Sequence, residues 1–206
     1  MVTLARAPHE AVGGETPLEA ELRRIAGSVP DPELPVLSLT ELGVLRAVHT
    51  LGPGRVEVEL SPTYTGCPAI EAMSTDIERV LHEHGVPEVT VRPVLSPAWT
   101  TDDITPEGRR KLREFGIAPP RTTRAPAGPV ALSLGPTRHT GEPGGTAGTD
   151  PADGTTDPAD GTDAIACPHC GSTDTELLSR FSSTACKALR RCLACREPFD
   201  HFKELR

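Results

Sequence analysis

The spacing of apolar and polar side chains predicts a first helix in the N-terminal part of the chain. Thr16 and Pro17 form a helix start, and Glu19 completes a capping box with Thr16. Apolar residues then recur at helical spacing until Gly27, which ends the helix. The stripe that is expected to face the core contains Leu18, Leu22, Ile25 and Ala26.

Alternation and a second helical pattern predict the rest of this domain. Residues 55–60 alternate as a half-buried strand, and residues 43–50 are the expected partner strand. A second helix begins after Cys67. Residues 88–95 alternate again, although Pro93 restricts them to a sheet edge or a bulge, and a short helix follows. The order helix, strand, strand, helix, strand, helix predicts an α+β fold with helices on one small sheet.

Composition predicts a linker between this domain and a C-terminal module. Only 36% of the 206 residues are apolar, while 22 are proline and 19 are glycine, too lean a composition for one large core. Residues 135–163 contain two tandem copies of TDPADGT and carry six acidic residues against one basic residue. This stretch is expected to be a disordered acidic linker, with a docking role as the alternative. The predicted segments are therefore a domain at 12–134, the linker, and a module at 164–206.

The overall charge narrows the class of partner. A net charge of −8 argues against nucleic acid and against an anionic membrane surface as the main partner. No apolar run approaches the length of about 18 residues that a membrane span needs, and no stretch resembles a signal peptide. A cytoplasmic location is therefore expected, and six cysteines there indicate metal or thiol chemistry rather than disulfides.

Four of the cysteines form two Cys-x-x-Cys pairs in the C-terminal module. The pairs are separated by 21 residues and consist of Cys167, Cys170, Cys192 and Cys195. Two such turns can close a tetrahedron of sulfur atoms around one ion. A module of this size has little core and needs such a metal site to fold. Zinc is favoured, although the same ligands also suit iron or an iron–sulfur cluster. His169 and His201 are either spare ligands or solvated side chains, and the second interpretation is favoured.

Longer motifs resemble a known family. Residues 31–46 and 61–71 are similar to the small iron–sulfur assembly P domain, whose members serve in cluster biogenesis. Residues 95–120 and 182–203 resemble the accessory D subunits of bacterial phenylacetyl-CoA epoxidase, also called phenylacetate-CoA oxygenase. Asp103 departs from that family's pattern, which usually has an aromatic residue at this position.

The resemblance implies a role beside an oxygenase. The oxygenase of this family is a multicomponent di-iron enzyme that epoxidises the ring of phenylacetyl-CoA, with its catalytic and reductase parts on separate chains. The D-type chain is implied to mature the metal centres of these partners, with iron–sulfur assembly proteins as further partners, in the degradation of an aromatic compound. A rubredoxin-like electron carrier and a stable structural subunit are the alternatives. The chain lacks the paired Glu-x-x-His motifs of a di-iron site, so a non-catalytic role is expected.

Cys67 is the candidate thiol for transfer of a metal or a cluster. Pro68 suits the first position of a helix, so Cys67 is expected at the N-cap, where free N–H groups and the helix dipole favour a thiolate. Thr65 can hydrogen-bond the same turn, and Gly66 allows close approach of the backbone. The resemblance implies that Cys67 is the reactive cysteine of the family, whereas a buried packing cysteine is the alternative.

Three further residues are candidates with open roles. Asp31 and Glu33 match a second motif of the family, although Asp31 before proline also has an ordinary role in a turn. Cys186 precedes Cys192 by six residues. It is an alternative ligand, a separate thiol or a buried structural residue.

Overall fold

The computed structural model describes residues 14–63, 69–121 and 165–205 of the chain. Several predictions concern residues outside these ranges: Thr65, Gly66, Cys67 and the linker at 135–163. Within the described ranges, no helix combines the length and the apolar character that a membrane crossing requires.

The described residues form four helices, one 3-10 turn and seven strands. The helices are α1 (Pro17–Gly27), α2 (Leu39–Leu42), α3 (Ala69–Glu83) and α4 (Pro106–Glu114), and the 3-10 turn covers Thr101–Asp103. The strands are β1 (Leu45–Gly52), β2 (Arg55–Leu60), β3 (Glu88–Pro93), β4 (Ile117–Ala118), β5 (Thr175–Ser179), β6 (Lys187–Cys192) and β7 (Pro198–Phe202).

The first sheet confirms the predicted α+β arrangement. β1 and β2 form an antiparallel pair in which Val48 lies opposite Val58, as the alternation predicts. β3 pairs in parallel with β2, so that α3 is the crossover between these two strands. β3 lies at the edge of the sheet, where Pro93 removes no inner hydrogen bond. α1 contacts β1 and α3, and the side chains of Ile77 and Leu81 on α3 are fully buried.

The first helix has the predicted capping box but a different buried face. The Thr16 side chain accepts the N–H of Glu19, and the Glu19 carboxylate accepts the N–H of Thr16. The prediction that Leu18 faces the core is wrong, because its side chain is 59% exposed. Glu19, one position along the helix, is the side chain that turns towards β1, where it accepts the N–H of Thr50 at 2.9 Å. The buried positions of α1 are Leu22, Ile25, Ala26 and Gly27.

We expect Glu19→Gln to destabilise the fold at neutral pH by about 1–2 kcal/mol and to reduce its sensitivity to acid. Hydrogen bonds from the Thr50 backbone and then from Thr16 lower the pKa of Glu19 from 4.5 to about 2. Because the folded pKa lies below the unfolded one, the carboxylate stabilises the fold fully above about pH 4.5 and loses this effect as the pH falls towards 2. Thermal melting across this range measures the difference, and equal acid slopes of parent and variant would contradict the assignment.

A helical turn that the sequence prediction omits, α2, precedes β1. Its signal is present in the chain, since Ser38 accepts the N–H of Glu41 at 3.3 Å and Glu41 accepts the N–H of Ser38 at 3.0 Å. The turn ends at Gly43, whose φ is 78° and where an added Cβ would lie 2.3 Å from the carbonyl oxygen of Asp103. Arg46 donates to the Asp103 carboxylate at 3.1 Å. Asp103 therefore ties the 3-10 turn, to which it belongs, to β1.

The second sheet joins the C-terminal module to the first part of the chain. Its strand order is β4-β7-β6-β5, with antiparallel pairing in β5–β6 and β6–β7. β4 comes from the segment before the predicted linker and pairs in parallel with β7, with Ile117 opposite Asp200 and Ala118 opposite His201. A strand of two residues carries no alternation that a sequence pattern could reveal.

The two parts also share a buried core. Trp99 donates its indole N–H to the carbonyl of Leu42 at 2.9 Å, and its ring lies 6.2 Å from the ring of Phe202. Cys186 and Phe202 belong to the same buried cluster as the helices and the first sheet. The C-terminal module is therefore packed directly on the N-terminal domain. We propose the predicted domain at 12–134 and the predicted module at 164–206 as two segments that pack against each other.

Arg109 ties together the segment that carries β4. Its side chain is nearly buried and donates to three carbonyl groups, those of Thr101, Ile104 and Pro120. Burial lowers the pKa of this guanidinium, and the nearby carboxylate of Asp102 opposes that effect. The planar fork of arginine spreads five N–H donors over three nitrogen atoms, so that one side chain reaches acceptors that lie apart, whereas lysine donates from a single nitrogen. Arg109 therefore holds the 3-10 turn, α4 and the end of β4 in one arrangement.

Candidate metal centre

The two cysteine pairs lie in turns of the same construction. In the first, Gly171 donates its N–H to the carbonyl of Cys167 at 2.9 Å, and in the second Arg196 donates to the carbonyl of Cys192 at 3.0 Å. Gly171 and Arg196 have positive φ angles of 76° and 69°. Each turn thus ends in one left-handed residue directly after its second cysteine, which directs both sulfur atoms of the pair to the same side.

The four sulfur atoms form a compact group. The Sγ atoms of Cys167, Cys170, Cys192 and Cys195 all lie within 4.8 Å of one another. The separation is 3.8 Å between Cys167 and Cys195 and 3.5 Å between Cys170 and Cys192. A tetrahedron with metal–sulfur bonds of about 2.3 Å has edges of about 3.8 Å. The spacing therefore fits one tetrahedrally coordinated ion.

The surroundings of two of these thiols shift their pKa values in opposite directions. The backbone N–H of Cys195 points at the sulfur of Cys192 at 3.5 Å and is the main cause that lowers the pKa of Cys192 to about 7. A hydrogen bond from the Glu197 backbone lowers the pKa of Cys195, but burial and the neighbouring sulfurs outweigh it and raise that pKa to about 12. A bound cation replaces the protons that such thiols otherwise share, so metal binding releases protons.

One side of the metal centre is buried and the other faces solvent. Cys167 and Cys192 are buried and pack with Ile165, Phe199 and Ala118, whereas Cys170 is exposed. Ala118 belongs to β4, so the segment before the linker contributes to the small core behind the sulfurs. The geometry supports a metal-binding site. Four thiolates suit zinc and also a single iron ion.

The two histidines near the cysteines differ in environment. His169 is exposed, in agreement with a solvated side chain. The same prediction for His201 is wrong, because His201 is only 5% exposed and lies in β7 on the same face as buried Phe199. Burial is the main cause that lowers the pKa of His201 to about 4, although Glu204, whose Oε1 lies 4.0 Å from Nε2, opposes the shift. The alternation of Phe199 and His201 in the sequence could have revealed this burial.

The remaining candidates, Cys186 and Asp31, are not part of the group of four sulfur atoms. Cys186 is 5% exposed, its sulfur lies 3.1 Å from the Thr184 hydroxyl, and burial raises the pKa of its thiol. Its sulfur is not among the four that come together at the metal centre. Asp31 accepts the N–H groups of Glu33 at 2.9 Å and of Leu34 at 2.7 Å, which is the turn chemistry expected of it.

Electrostatics link this turn to the C-terminal module. Burial raises the pKa of Glu33, the charge of Asp31 raises it further, and the charge of Lys187 opposes both. The nearly buried Lys187 ammonium lies 3.1 Å from the Asp200 carboxylate. Sequence reasoning missed Lys187, since no local pattern marks a lysine that is buried by a distant segment.

Two protein-family models match the chain. The model described as "PaaD zinc beta ribbon domain" matches residues 151–203, which include all four cysteines of the metal centre. The model described as "Iron-sulfur cluster assembly protein" matches residues 19–95, which include Asp31, Glu33 and Cys67.

A relative and a solved structure are also similar. The putative D subunit of 1,2-phenylacetyl-CoA epoxidase from Escherichia coli (strain K12) is 40% identical over 183 residues, which are 89% of this chain and 91% of that protein. The crystal structure of a domain of unknown function, DUF59, from Bacillus anthracis is 24% identical and covers 46% of this chain and 90% of its own, with a TM-score of 0.42.

Proposed function

This chain belongs to the family of phenylacetyl-CoA epoxidase D subunits, and from this premise we propose that it is an accessory maturation factor. Its clients are the metal centres, di-iron or iron–sulfur, of a multicomponent phenylacetyl-CoA oxygenase in the aerobic degradation of phenylacetate. It acts in the cytoplasm, in contact with the oxygenase subunits and with iron–sulfur assembly proteins, and it performs no catalysis itself.

The single observation that carries this proposal is that two different modules pack together in one folded unit. An iron–sulfur assembly type of domain shares a buried core and a sheet with a module that presents four convergent thiols. A catalytic chain has no need of this combination, whereas a factor that handles metal for another protein does. In this proposal the four thiols hold a structural ion, zinc in the first instance, which fixes the shape of the C-terminal module.

The transfer of metal or cluster is assigned to Cys67. The motif residues Asp31, Glu33, Thr65 and Gly66 support it, and the cargo is bound through its sulfur during delivery. The charge of Lys187 acts on the Glu33 carboxylate, so the turn that contains Asp31 and Glu33 is coupled electrostatically to the C-terminal module.

We expect Cys67→Ser to leave this protein folded and the oxygenase short of metal. Serine keeps an oxygen suited to an N-cap, so the loss of stability is at most about 1 kcal/mol. The substitution removes the soft, ionisable sulfur that binds iron. The measurement combines thermal melting of the variant with the iron content and the epoxidation activity of the oxygenase produced beside it.

Cys186→Ser is the matched control for this experiment, because Cys186 is a buried cysteine outside the group of four. It should leave the iron content of the oxygenase unchanged. An oxygenase with its full complement of iron beside a stable Cys67→Ser variant would remove the assignment of Cys67. It would favour a stable structural subunit, which forms a stoichiometric complex and has no need of this thiol.

A rubredoxin-like electron carrier is the second candidate function. It is favoured by the same four thiols, which suit a single iron ion, and by the position of Cys170 at the surface of the module. Metal analysis and visible absorption of the anaerobically purified chain distinguish the two functions. A coloured, redox-active iron centre supports the carrier, whereas a colourless zinc centre supports the maturation factor.

A further inference from the structure

A cleft with a volume of about 360 Å³ lies between the turn that contains Glu33 and one face of the second sheet. Three strands contribute this face, because Ile117 of β4 and Leu189 of β6 both lie opposite Asp200 of β7. Clefts between two modules are common positions for binding sites. We call it the Glu33 cleft, and the lining residues that decide its chemistry are Glu33, Leu34, Phe115, Lys187, Leu189 and Asp200.

Three charged side chains line the Glu33 cleft, and two of them neutralise each other. The ammonium of Lys187 lies 3.1 Å from the carboxylate of Asp200, which also accepts the Ser182 hydroxyl. His169 lines the cleft as well, but it is exposed and is counted as neutral. The third charge is the half-buried carboxylate of Glu33, which makes no hydrogen bond and no ion pair with any residue of the described ranges. The lining therefore carries one carboxylate that lacks a counter-ion.

The ionised Glu33 carboxylate does not stabilise the fold. Burial and the charge of Asp31 raise its pKa, and the charge of Lys187 opposes both effects without cancelling them. A carboxylate whose folded pKa is raised destabilises the folded state when it is ionised. A partly desolvated charge that folding does not require, placed in a cleft, is a feature of binding sites.

Apolar side chains surround this carboxylate. Leu34 lines the cleft from the N-terminal domain and Leu189 from the second sheet, and Phe115 at the rim is 66% exposed. An arginine or lysine side chain matches this arrangement, because its charged head pairs with a carboxylate while its aliphatic stem lies on apolar surface. The exposed aromatic ring adds a favourable surface for a cation.

A metal ion and an anion are poorer matches for the Glu33 cleft. Among the described residues, the group of ligating side chains that comes together for a metal is the four cysteines, and no carboxylate of the cleft belongs to it. The Asp200 carboxylate is already paired with Lys187. The same pair leaves the cleft no free cation for an anion, and the Glu33 carboxylate would repel one.

We infer that the Glu33 cleft binds an arginine or lysine side chain presented by a partner protein, with Glu33 as its counter-ion. A protein is a better source of this side chain than a free amine, because the surface around it would also cover the exposed Phe115 ring. The inference rests on the proposed function for the identity of the partner, a subunit of the oxygenase. It adds the site on this chain and the chemical group that the partner must present.

The first test measures the site without the oxygenase. The full, metal-loaded chain is titrated with N-acetyl-arginine amide and, as the control probe, with N-acetyl-citrulline amide, which has nearly the same shape without the charge. The arginine probe should shift the amide NMR signals of Leu34, Gly116 and Leu189 and saturate in the millimolar range, as expected of a single side chain. The citrulline probe should bind at least about tenfold more weakly.

Two substitutions locate the counter-ion. Glu33→Gln should weaken binding of the arginine probe at least about tenfold. Glu78→Gln is the matched control, because it changes a half-buried carboxylate on α3 that does not line the cleft, and it should bind like the parent. Glu33→Gln should also melt no lower than the parent at pH 7, since it removes a charge that destabilises the fold.

Equal binding of the two probes to the parent would overturn the inference, and so would equal binding of the arginine probe to the parent and to Glu33→Gln. A titration with Mg²⁺ tests the metal alternative. If Mg²⁺ shifts the same signals at lower concentration than the arginine probe does, the cleft is a metal site and the inference is wrong.

The second test identifies the source of the side chain by co-purification with tagged oxygenase. Glu33→Gln and Phe115→Ser should each bind about tenfold more weakly than the parent. Phe181→Ser is the control and should bind like the parent, because Phe181 is 64% exposed and does not line the cleft.

Two results would overturn the assignment to the oxygenase: a parent chain that does not bind it, or cleft variants that bind it like the parent. Self-association of the parent that Glu33→Gln abolishes would also overturn it, in favour of a second copy. The iron content of oxygenase produced without this chain tests the proposed function separately, and the probe titrations are independent of that result.

Discussion

Removal of the metal from the four-cysteine centre is expected to unfold residues 165–205 and to expose Trp99 to water. Structural metal sites of this type contribute about 10–16 kcal/mol of apparent binding free energy, which a module with a small core cannot replace. Trp99 is the only tryptophan of the chain, it is 3% exposed, and its ring lies 6.2 Å from that of Phe202. A strong chelator should therefore shift the tryptophan fluorescence to longer wavelength.

The first sheet with α1 and α3 should remain folded in the same experiment. Its strands pair only with one another in the described structure, and its helices pack on it directly. Amide NMR spectra of the chelated protein should therefore keep native dispersion for this part and lose it for residues 165–205. Native dispersion of residues 165–205 in metal-free protein would contradict the prediction.

A substitution provides the same test without a chelator. Cys192→Ser removes a fully buried sulfur from the group of four and should reproduce the change in Trp99 fluorescence. Cys186→Ser is the control, since this thiol is buried in the shared core and is not part of that group. The control should retain one metal per chain with at most a modest loss of thermal stability.

Replacement of Arg109 is expected to cause the largest loss of stability among the substitutions outside the metal centre. Arg109→Met removes the donor of three carbonyl groups, of which those of Thr101 and Pro120 flank the segment that carries β4. Buried acceptors left without a donor cost about 1–3 kcal/mol each, so a total of about 3–5 kcal/mol is expected after partial rearrangement. Denaturant unfolding measures this free energy, and Trp99 reports whether the C-terminal module separates first.

The neighbouring residue on α4 supplies a matched control. Arg110 makes exposed ion pairs with Glu107 and Glu114 and touches no buried acceptor in the described structure. Arg110→Met should therefore cost far less stability than Arg109→Met. Equal losses in the two variants would show that the carbonyl contacts of Arg109 contribute nothing beyond helix propensity and charge.

Local patterns predicted the parts of this fold whose signals are local. The capping box of α1, the β1–β2 pair and the edge position of β3 all follow from spacing within short stretches of the chain. The metal centre follows from two short motifs, because the Cys-x-x-Cys turn determines its own geometry. α2 also had a local signal in Ser38 and Glu41, and it could have been predicted.

The contact between the two modules could not be predicted in this way. Ile117 and Asp200 pair across 83 positions of sequence, and the two-residue strand β4 has no periodicity to reveal it. The burial of His201 and Lys187 follows from that contact, since segments distant in sequence cover both side chains. For Leu18 a local pattern was misleading. Its spacing matches the apolar stripe of α1, but its side chain is exposed, and Glu19 is the residue of the first turn that contacts β1.

The pairing of β4 with β7 has a consequence for the length of the chain between them. It places the residues before and after positions 122–164 in one sheet, so the chain between them closes a loop and does not connect two separate bodies. The entropic cost of closing a loop grows only with the logarithm of the loop length. Removing one seven-residue TDPADGT copy from these 43 residues would change that free energy by about 0.2 kcal/mol. A duplication in this segment therefore changes the free energy of unfolding very little, and natural selection has little thermodynamic reason to remove it.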